Sequence, residues 1–441
     1  MHYFTLILLL STLVAPLARA QTRADDVQTF TLDNGMKVLV LEDHSIPNAN
    51  MYLFWRVGSR NEYPGITGVS HFFEHMMFNG SKNYGPKQFD RVMEAAGGSN
   101  NAYTTNDVTV YTDWFPSSSL EQMFKLEADR IAHLDIDSAM VESERGVVLS
   151  ERSTGLENSN FRYLSEQVQA VAFFAHPYKW SVIGYESDIK AWTQADLERY
   201  FRTYYAPNNA VVVIVGDVTV PRVKELAERY FEPIPAQPAP GTVRTVEPPQ
   251  QGEKRLVVHK AVSSPNVMLT YHTPAADHED YHALELLAAV LSSGNSSRLT
   301  KGLVFDRPLA TRVFAYQPVT FDPNLFTLYA VAGGGVTPDS LEAALLAEIE
   351  RVKQDGVTAR ELQKVKNQKL MQFYDEIETI DGKADALGTY ELFFGDYRAL
   401  FNAPERFNAV TAEDIQRVAR TYFTDENRTV GYLVAKEGTA Q

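Results

Sequence analysis

The residues His71-Phe72-Phe73-Glu74-His75 combine two imidazoles and a carboxylate at a spacing that can do chemistry. Positions i and i+4 share one face of a helix, so both histidines can address a single ion. Glu74 precedes the second histidine by one residue and can reach a water on that ion. A divalent metal acidifies its water and polarises a carbonyl, and a nearby carboxylate takes the proton and returns it to a leaving amine. The chemistry this predicts is amide hydrolysis. Two phenylalanines between the histidines equally suit a core-facing helix that needs no metal. A catalytic ion also wants a third protein ligand. Glu144 and Glu151 lie seven residues apart, about two helical turns, and project from one face of a predicted helix over 142–152. Glu142 is a further candidate, and the run SERGVVLSER also reads as a solvated helix face, so spacing leaves the third position open.

Composition narrows the alternatives. There is no cysteine, which removes disulfide frameworks, thiol catalysis and sulfur-ligated metals. Any metal must be held by His, Asp or Glu. With 44% hydrophobic and 22% charged residues, the 441-residue chain is neither disordered, collagenous nor a multi-span membrane protein. Its net charge of −15 disfavours nucleic acid as a partner. The apolar run 4–18, followed by Ala18-Arg19-Ala20, has the form of a secretory leader, so residues 1–20 are expected to be a cleaved signal peptide. The mature chain is then exported, periplasmic if the cell is bacterial, with no stable membrane span; an uncleaved anchor is the alternative.

These residues must be positioned by the elements around them. TFTLDNGMKVLVLED (29–43) predicts two strands around an Asn34-Gly35 turn, and 48–59 predicts a third strand. Residues 66–79 predict the helix that carries the pentad. Residues 117–134 predict a long amphipathic helix opened by serines. NAVVVIVGDV (209–218) predicts a buried strand, and 220–235 a helix ended by prolines. Residues 236–252, rich in Pro, Gly and Gln, predict an exposed linker between units at 21–235 and 253–441. The second unit repeats the first: 266–274 matches the strand at 48–59, 282–299 the pentad helix, and 338–352 the helix at 116–130. Superposing Gly294 on Gly80 puts Glu285, Ala288 and Ala289 where the first unit has His71, Glu74 and His75. The expected fold class is α+β, two similar domains, each a mainly antiparallel sheet packed with helices.

In order along the chain, TFTLDNGMKVLVLEDHSIP, WRVGSRNEYPGITGVSHFFEHMMFNGS, NAYTTNDVTVYTDWFP, LEADRI, ERGVVLSER, AHPYKWSVIGYESDI and YYAPNNAVVVIVGDV resemble the pitrilysin/insulinase family of inverted-motif zinc metallopeptidases. The resemblance is to its shorter branch, which includes mitochondrial processing peptidase and bacterial relatives, and spans residues 28–435. It implies two domains enclosing a cavity, and an endopeptidase acting on peptides or unfolded segments small enough to enter. It implies one zinc per chain on His71, His75 and Glu151, Glu74 as general base, and Glu144 as an acidic residue that assists catalysis. It also implies that the segment at Asn101 and Ala102 is an edge strand that pairs with the substrate backbone; a plain edge strand is the bland alternative.

One departure stands out. Members of the family that work alone or as homodimers carry an Arg and a Tyr in the second half, and this chain has Phe305 and Thr311 at those places. Arg298, Arg307 and Tyr316 lie nearby but out of register. The expectation is therefore a heterodimer in which a homologous partner subunit supplies the missing pair, with a homodimer as the alternative. Readings from other classes are a non-catalytic assembly subunit of the same fold and a peptide-binding module with structural zinc. The remaining histidines, including His272, His278 and His282, read as structural or solvated, and Gly333-Gly334-Gly335 as a strand end or turn without a phosphate loop.

Overall fold

The structure, a computed structural model, describes residues 22–436; the expected leader at 1–20 lies outside the described residues. The first half contains β1 (Val27–Thr31), β2 (Lys37–Glu42), β3 (Asn48–Trp55), α1 (Val69–Met76), α2 (Gln88–Ala95), β4 (Ser99–Thr104) and β5 (Thr109–Pro116). It continues with α3 (Leu120–His133), α4 (Ser138–Asn158), α5 (Asn160–Ala172), α6 (Glu186–Ala191), α7 (Gln194–Tyr204), β6 (Ala210–Gly216) and α8 (Val220–Tyr230). The second half contains β7 (Lys254–Lys260), β8 (Asn266–Thr273), α9 (Tyr281–Ser292), β9 (Ala310–Tyr316), β10 (Asn324–Ala332) and α10 (Pro338–Asp355). It ends with α11 (Ala359–Glu376), α12 (Ile380–Phe393), α13 (Ala403–Ala409), α14 (Ala412–Tyr422) and β11 (Arg428–Ala435).

The fold class is α+β, with one sheet per half. The sheets run β1-β2-β6-β3-β5-β4 and β7-β11-β8-β10-β9. Apart from the added β1, the second order reproduces the first strand for strand, including the one parallel pair in each, β2 with β6 and β7 with β11. The repeat extends to side chains. Thr193 with Asp196 and Thr411 with Asp414 form matching capping boxes on α7 and α14. After each helix an asparagine ties the chain back: Asn209 donates to the Tyr204 carbonyl at 2.8 Å, and Asn427 to the Tyr422 carbonyl at 2.7 Å.

Local physics accounts for most boundaries. Asn34-Gly35 closes the β1–β2 hairpin, with Gly35 at φ +87°. The pentad helix is shorter than the expected 66–79 because Gly68, at φ +87°, is left-handed and starts it only at Val69. Residues 117–119 form a separate 3-10 turn, and the Ser119 hydroxyl donates to the Ala96 carbonyl instead of capping α3. The helix expected at 142–152 extends over Ser138–Asn158.

Each sheet is covered on both faces, which is why β6 reads as an unbroken apolar run. Val212 and Ile214 face the first half's own helices, while Val211, Val213 and Val215 face the other way. What covers that second face comes from the opposite half. Helix α12 packs on β3 and β6 of the first sheet, and α5 packs on β7, β8 and β11 of the second. The fit is close: a Cβ added at Gly388 of α12 would run into the Phe54 ring, and one at Gly431 of β11 into Val168 of α5. Residues 236–252 carry no helix or strand and run between the halves. They are tied down on the way, since Glu247 accepts the N–H groups of Phe174, Ala175 and His176.

Candidate metal centre

Helix α1 has only eight residues and is held from outside. Glu62 accepts the N–H groups of Gly68 and Ser70, each at 2.8 Å, and the Tyr111 hydroxyl donates to the Phe73 carbonyl at 2.9 Å. Phe72 and Phe73 are fully buried in the first core. This leaves His71, Glu74 and His75 on the side facing α4 and β4.

Helix α4 brings up the acids. Glu151 Oε2 lies 3.6 Å from His71 Nε2 and 3.5 Å from His75 Nε2. These three are the one group of His, Asp or Glu among the described residues whose ligand atoms converge, all within 4.8 Å of one another. Ligands of a tetrahedral zinc at about 2.0–2.1 Å stand about 3.3–3.4 Å apart, so the donor set and its spacing fit such an ion. Two turns earlier on α4, Glu144 takes the outer nitrogen of His75, Nδ1, at 2.7 Å, and accepts from Asn79 at 2.6 Å. A carboxylate on the outer nitrogen orients the ring and makes the inner one a better ligand. Glu142 takes no part: its side chain is 70% exposed and pairs with Arg145. Of the three glutamates, Glu151 alone thus stands with the inner nitrogens of both histidines.

The charge states follow from the surroundings. Burial, reinforced by the neighbouring His75, brings His71 down to about 4. Burial also acts to lower His75, but hydrogen bonds to Glu144 and Glu151 and their charges overcome it and raise the ring to about 9. Burial raises Glu74, against a hydrogen bond from Thr104 and the charge of His75. That bond, from Thr104 Oγ1 to Glu74 Oε2 at 2.6 Å, comes from the last residue of β4.

β4 is the edge of the first sheet, with β5 as its sole strand partner. Asn101 lies exposed on it, and Ala102 is half-buried against the first core. A cleft of about 300 Å³ opens at His71 and Glu151, walled by α5 and the 181–183 segment. It shares Asn106, Ser165 and Gln169 with a smaller space of about 150 Å³ that reaches residues of β8, β9 and β10. The cleft is lined by the first half alone, whereas residues of both halves line the smaller space.

Among the described residues, no second group of ligand atoms converges in the second half. At the place that superposes on His71, Glu285 pairs with Lys369 at 2.8 Å. Of the out-of-register residues, Arg298 is held by Glu361 and Arg307 approaches Glu348, whereas Tyr316 lines the smaller space. Phe305 and Thr311 are exposed. Thr104, Asn79 and Tyr316 carry no local sequence signal that sets them apart, because each acquires its place through a contact distant in sequence.

Comparison with known proteins adds to this geometry. The family profile described as insulinase (peptidase family M16) matches residues 37–185, and that described as the peptidase M16 inactive domain matches residues 191–369. The chain is 33% identical over 437 residues to a zinc protease, PqqE, of Helicobacter pylori, covering 96% of each. It is 24% identical to a probable mitochondrial-processing peptidase subunit beta of Schizosaccharomyces pombe, covering 95% of this chain and 93% of that one. A solved protease structure from Helicobacter pylori superposes with a TM-score of 0.89 at 31% identity, over 92% of this chain and 99% of that one.

Proposed function

This chain belongs to the M16 family of insulinase-type peptidases, and from that premise we propose that it is a zinc-dependent endopeptidase acting on peptides or unfolded segments. The observation that carries the reading is the convergence of His71 Nε2, His75 Nε2 and Glu151 Oε2 on one point, with Glu74 beside it. One zinc held by these three residues would supply Lewis acidity, acidifying a water and polarising the amide carbonyl. Glu74 is the general base: it takes the water proton on a carboxylate oxygen and passes it to the departing amine. Glu144 assists by holding the His75 ring through Nδ1. The substrate lies along β4, with main-chain hydrogen bonds at Asn101 and Ala102 extending the first sheet. In this reading residues 1–20 are a signal peptide, 21–235 the catalytic domain, 236–252 a linker and 253–441 a domain without a metal site, and the mature protein is exported.

Cleavage of a fluorogenic unstructured peptide by the mature chain tests the reading. Activity should vanish with a chelator, return with zinc and fall by about 10²–10⁴-fold in Glu74→Gln. Zinc bound without turnover would point to a missing partner subunit, and neither zinc nor turnover would leave only a binding or assembly role. Phe305 and Thr311, standing where an Arg and a Tyr would be needed, favour a homologous partner subunit that supplies the pair. The mass of the complex from its native source decides this, and a chain found alone or only with itself excludes the heterodimer.

A further inference from the structure

Beyond its metal-facing end, the cleft holds two arginines in different states. Arg152 is neutralised by Glu166 through two hydrogen bonds of 2.8 Å each. Arg162 has no carboxylate within 4.0 Å, and its guanidinium makes no hydrogen bond among the described residues. Its place is nevertheless built. The Arg162 main-chain N–H donates to the Ser159 hydroxyl at 3.2 Å, which fixes the first turn of α5. The guanidinium then lies across Gly155 of α4, where an added Cβ would stand 3.2 Å from Nη1. Gly155 is one turn past Glu151, so the charge is delivered beside the candidate ligands and is felt by both His71 and Glu151. Leu156, Phe161, Val182 and Ile183 line the same cleft, and Arg162 itself is exposed. In a chain of net charge −15, this is a cation in the cleft with its fork left open.

A guanidinium recognises a carboxylate with two parallel hydrogen bonds, a planar geometry that an open fork can supply. We propose that Arg162 is a substrate-binding residue that makes this centre prefer peptides carrying a carboxylate close to the cleaved bond. The inference rests on the endopeptidase reading. The carboxylate has two possible sources, an Asp or Glu side chain or the free C-terminus of a short peptide.

The test uses the full mature chain with zinc and two series of fluorogenic peptides. In the first, one Glu is walked through the positions on either side of the cleaved bond, each peptide matched to Gln and Lys versions. In the second, short peptides carry a free or an amidated C-terminus. One Glu position, or the free C-terminus, should raise kcat/KM about tenfold over its neutral match. The series that discriminates identifies the source. The ratio should fall to about one in Arg162→Ala and invert in favour of Lys or the amide in Arg162→Glu. A ratio near one in the parent chain, or a preference that survives both substitutions, overturns the inference. If the chain alone cleaves no peptide, the endopeptidase reading is settled separately with the partner subunit, and the inference is read from binding. Fluorescence anisotropy of the labelled peptides then decides: carboxylate preference reversed by Arg162→Glu supports the inference, and equal binding overturns it.

Discussion

Thr104 and Glu74 meet through one hydrogen bond, and that bond links two functions. The donor sits at the end of the strand proposed to hold the substrate, and the acceptor is the proposed base. By occupying Oε2, the hydroxyl fixes one oxygen of the carboxylate proposed to take up the proton. Thr104→Val keeps the shape and loses the donor. It should lower kcat about tenfold while KM stays within about twofold, and Thr104→Ser should recover most of the loss; steady-state kinetics of the three proteins checks this. A second residue concerns stability. Asp113 is fully buried beside Glu127, and the two acids share the single arginine Arg130, which is bonded to Glu127. Burial, aided by the Glu127 charge, holds the Asp113 carboxyl well above the usual range. The folded chain therefore keeps a proton that the unfolded chain releases above about pH 4, so this residue costs stability as pH rises. Asp113→Asn removes the cost. Its unfolding free energy should exceed the parent's at pH 8 by more than at pH 5, the gap growing by up to about 1.4 kcal/mol per pH unit in denaturant titrations; equal gaps at both pH values would contradict the assignment.

Element α1 carries three site residues in eight and cannot hold a fixed position by its own turns. Its first turn is satisfied by Glu62, and the loop before it by Asp188, which accepts from Gly65 and from both Thr67 donors. Glu62→Ala leaves two buried N–H groups without an acceptor. It should cost on the order of 1–2 kcal/mol of stability and weaken zinc binding several-fold, read from thermal melts and competition with a chelating dye. The Asn34-Gly35 hairpin, the buried β6 and the pentad helix are all legible in sequence, because each depends on a local turn or a period. The late start of α1 is not, since it depends on Gly68, where a Cβ would run into the Ile183 carbonyl more than a hundred residues away.

Across the whole molecule the halves are joined less by the linker than by exchanged helices. The second half's α12 roofs the first sheet, the first half's α5 roofs the second, and polar contacts reinforce both. Asp381 accepts from Asn50 and Tyr52, Asp385 from Tyr103, and Asp322 bridges Arg60 at 2.9 Å and His176 at 3.2 Å. The Tyr103–Asp385 bond ties the proposed substrate strand itself to the opposite half. A chain cut within 240–246 by an inserted protease site should therefore remain one particle. Its two fragments should co-elute in gel filtration and separate only in denaturant; fragments that part under native conditions would contradict the exchange.

The sequence alone determined what depends on short range. It set the pair of imidazoles on one helix face with a carboxylate between them, and two glutamates two turns apart on another helix. It also set the strand and helix order that occurs twice, and the family motifs that gather these into an expected site. Tertiary structure decided what depends on neighbours. It turned Glu151 and Glu144 towards the inner and outer nitrogens of His75 and sent Glu142 to solvent. It laid α5 and α12 on the opposite sheets and brought Thr104, Arg162 and Tyr316 to the cleft and its surroundings. The physical reason is the same in each case: periodicity fixes which face of an element is apolar or polar, but not which distant element will meet that face.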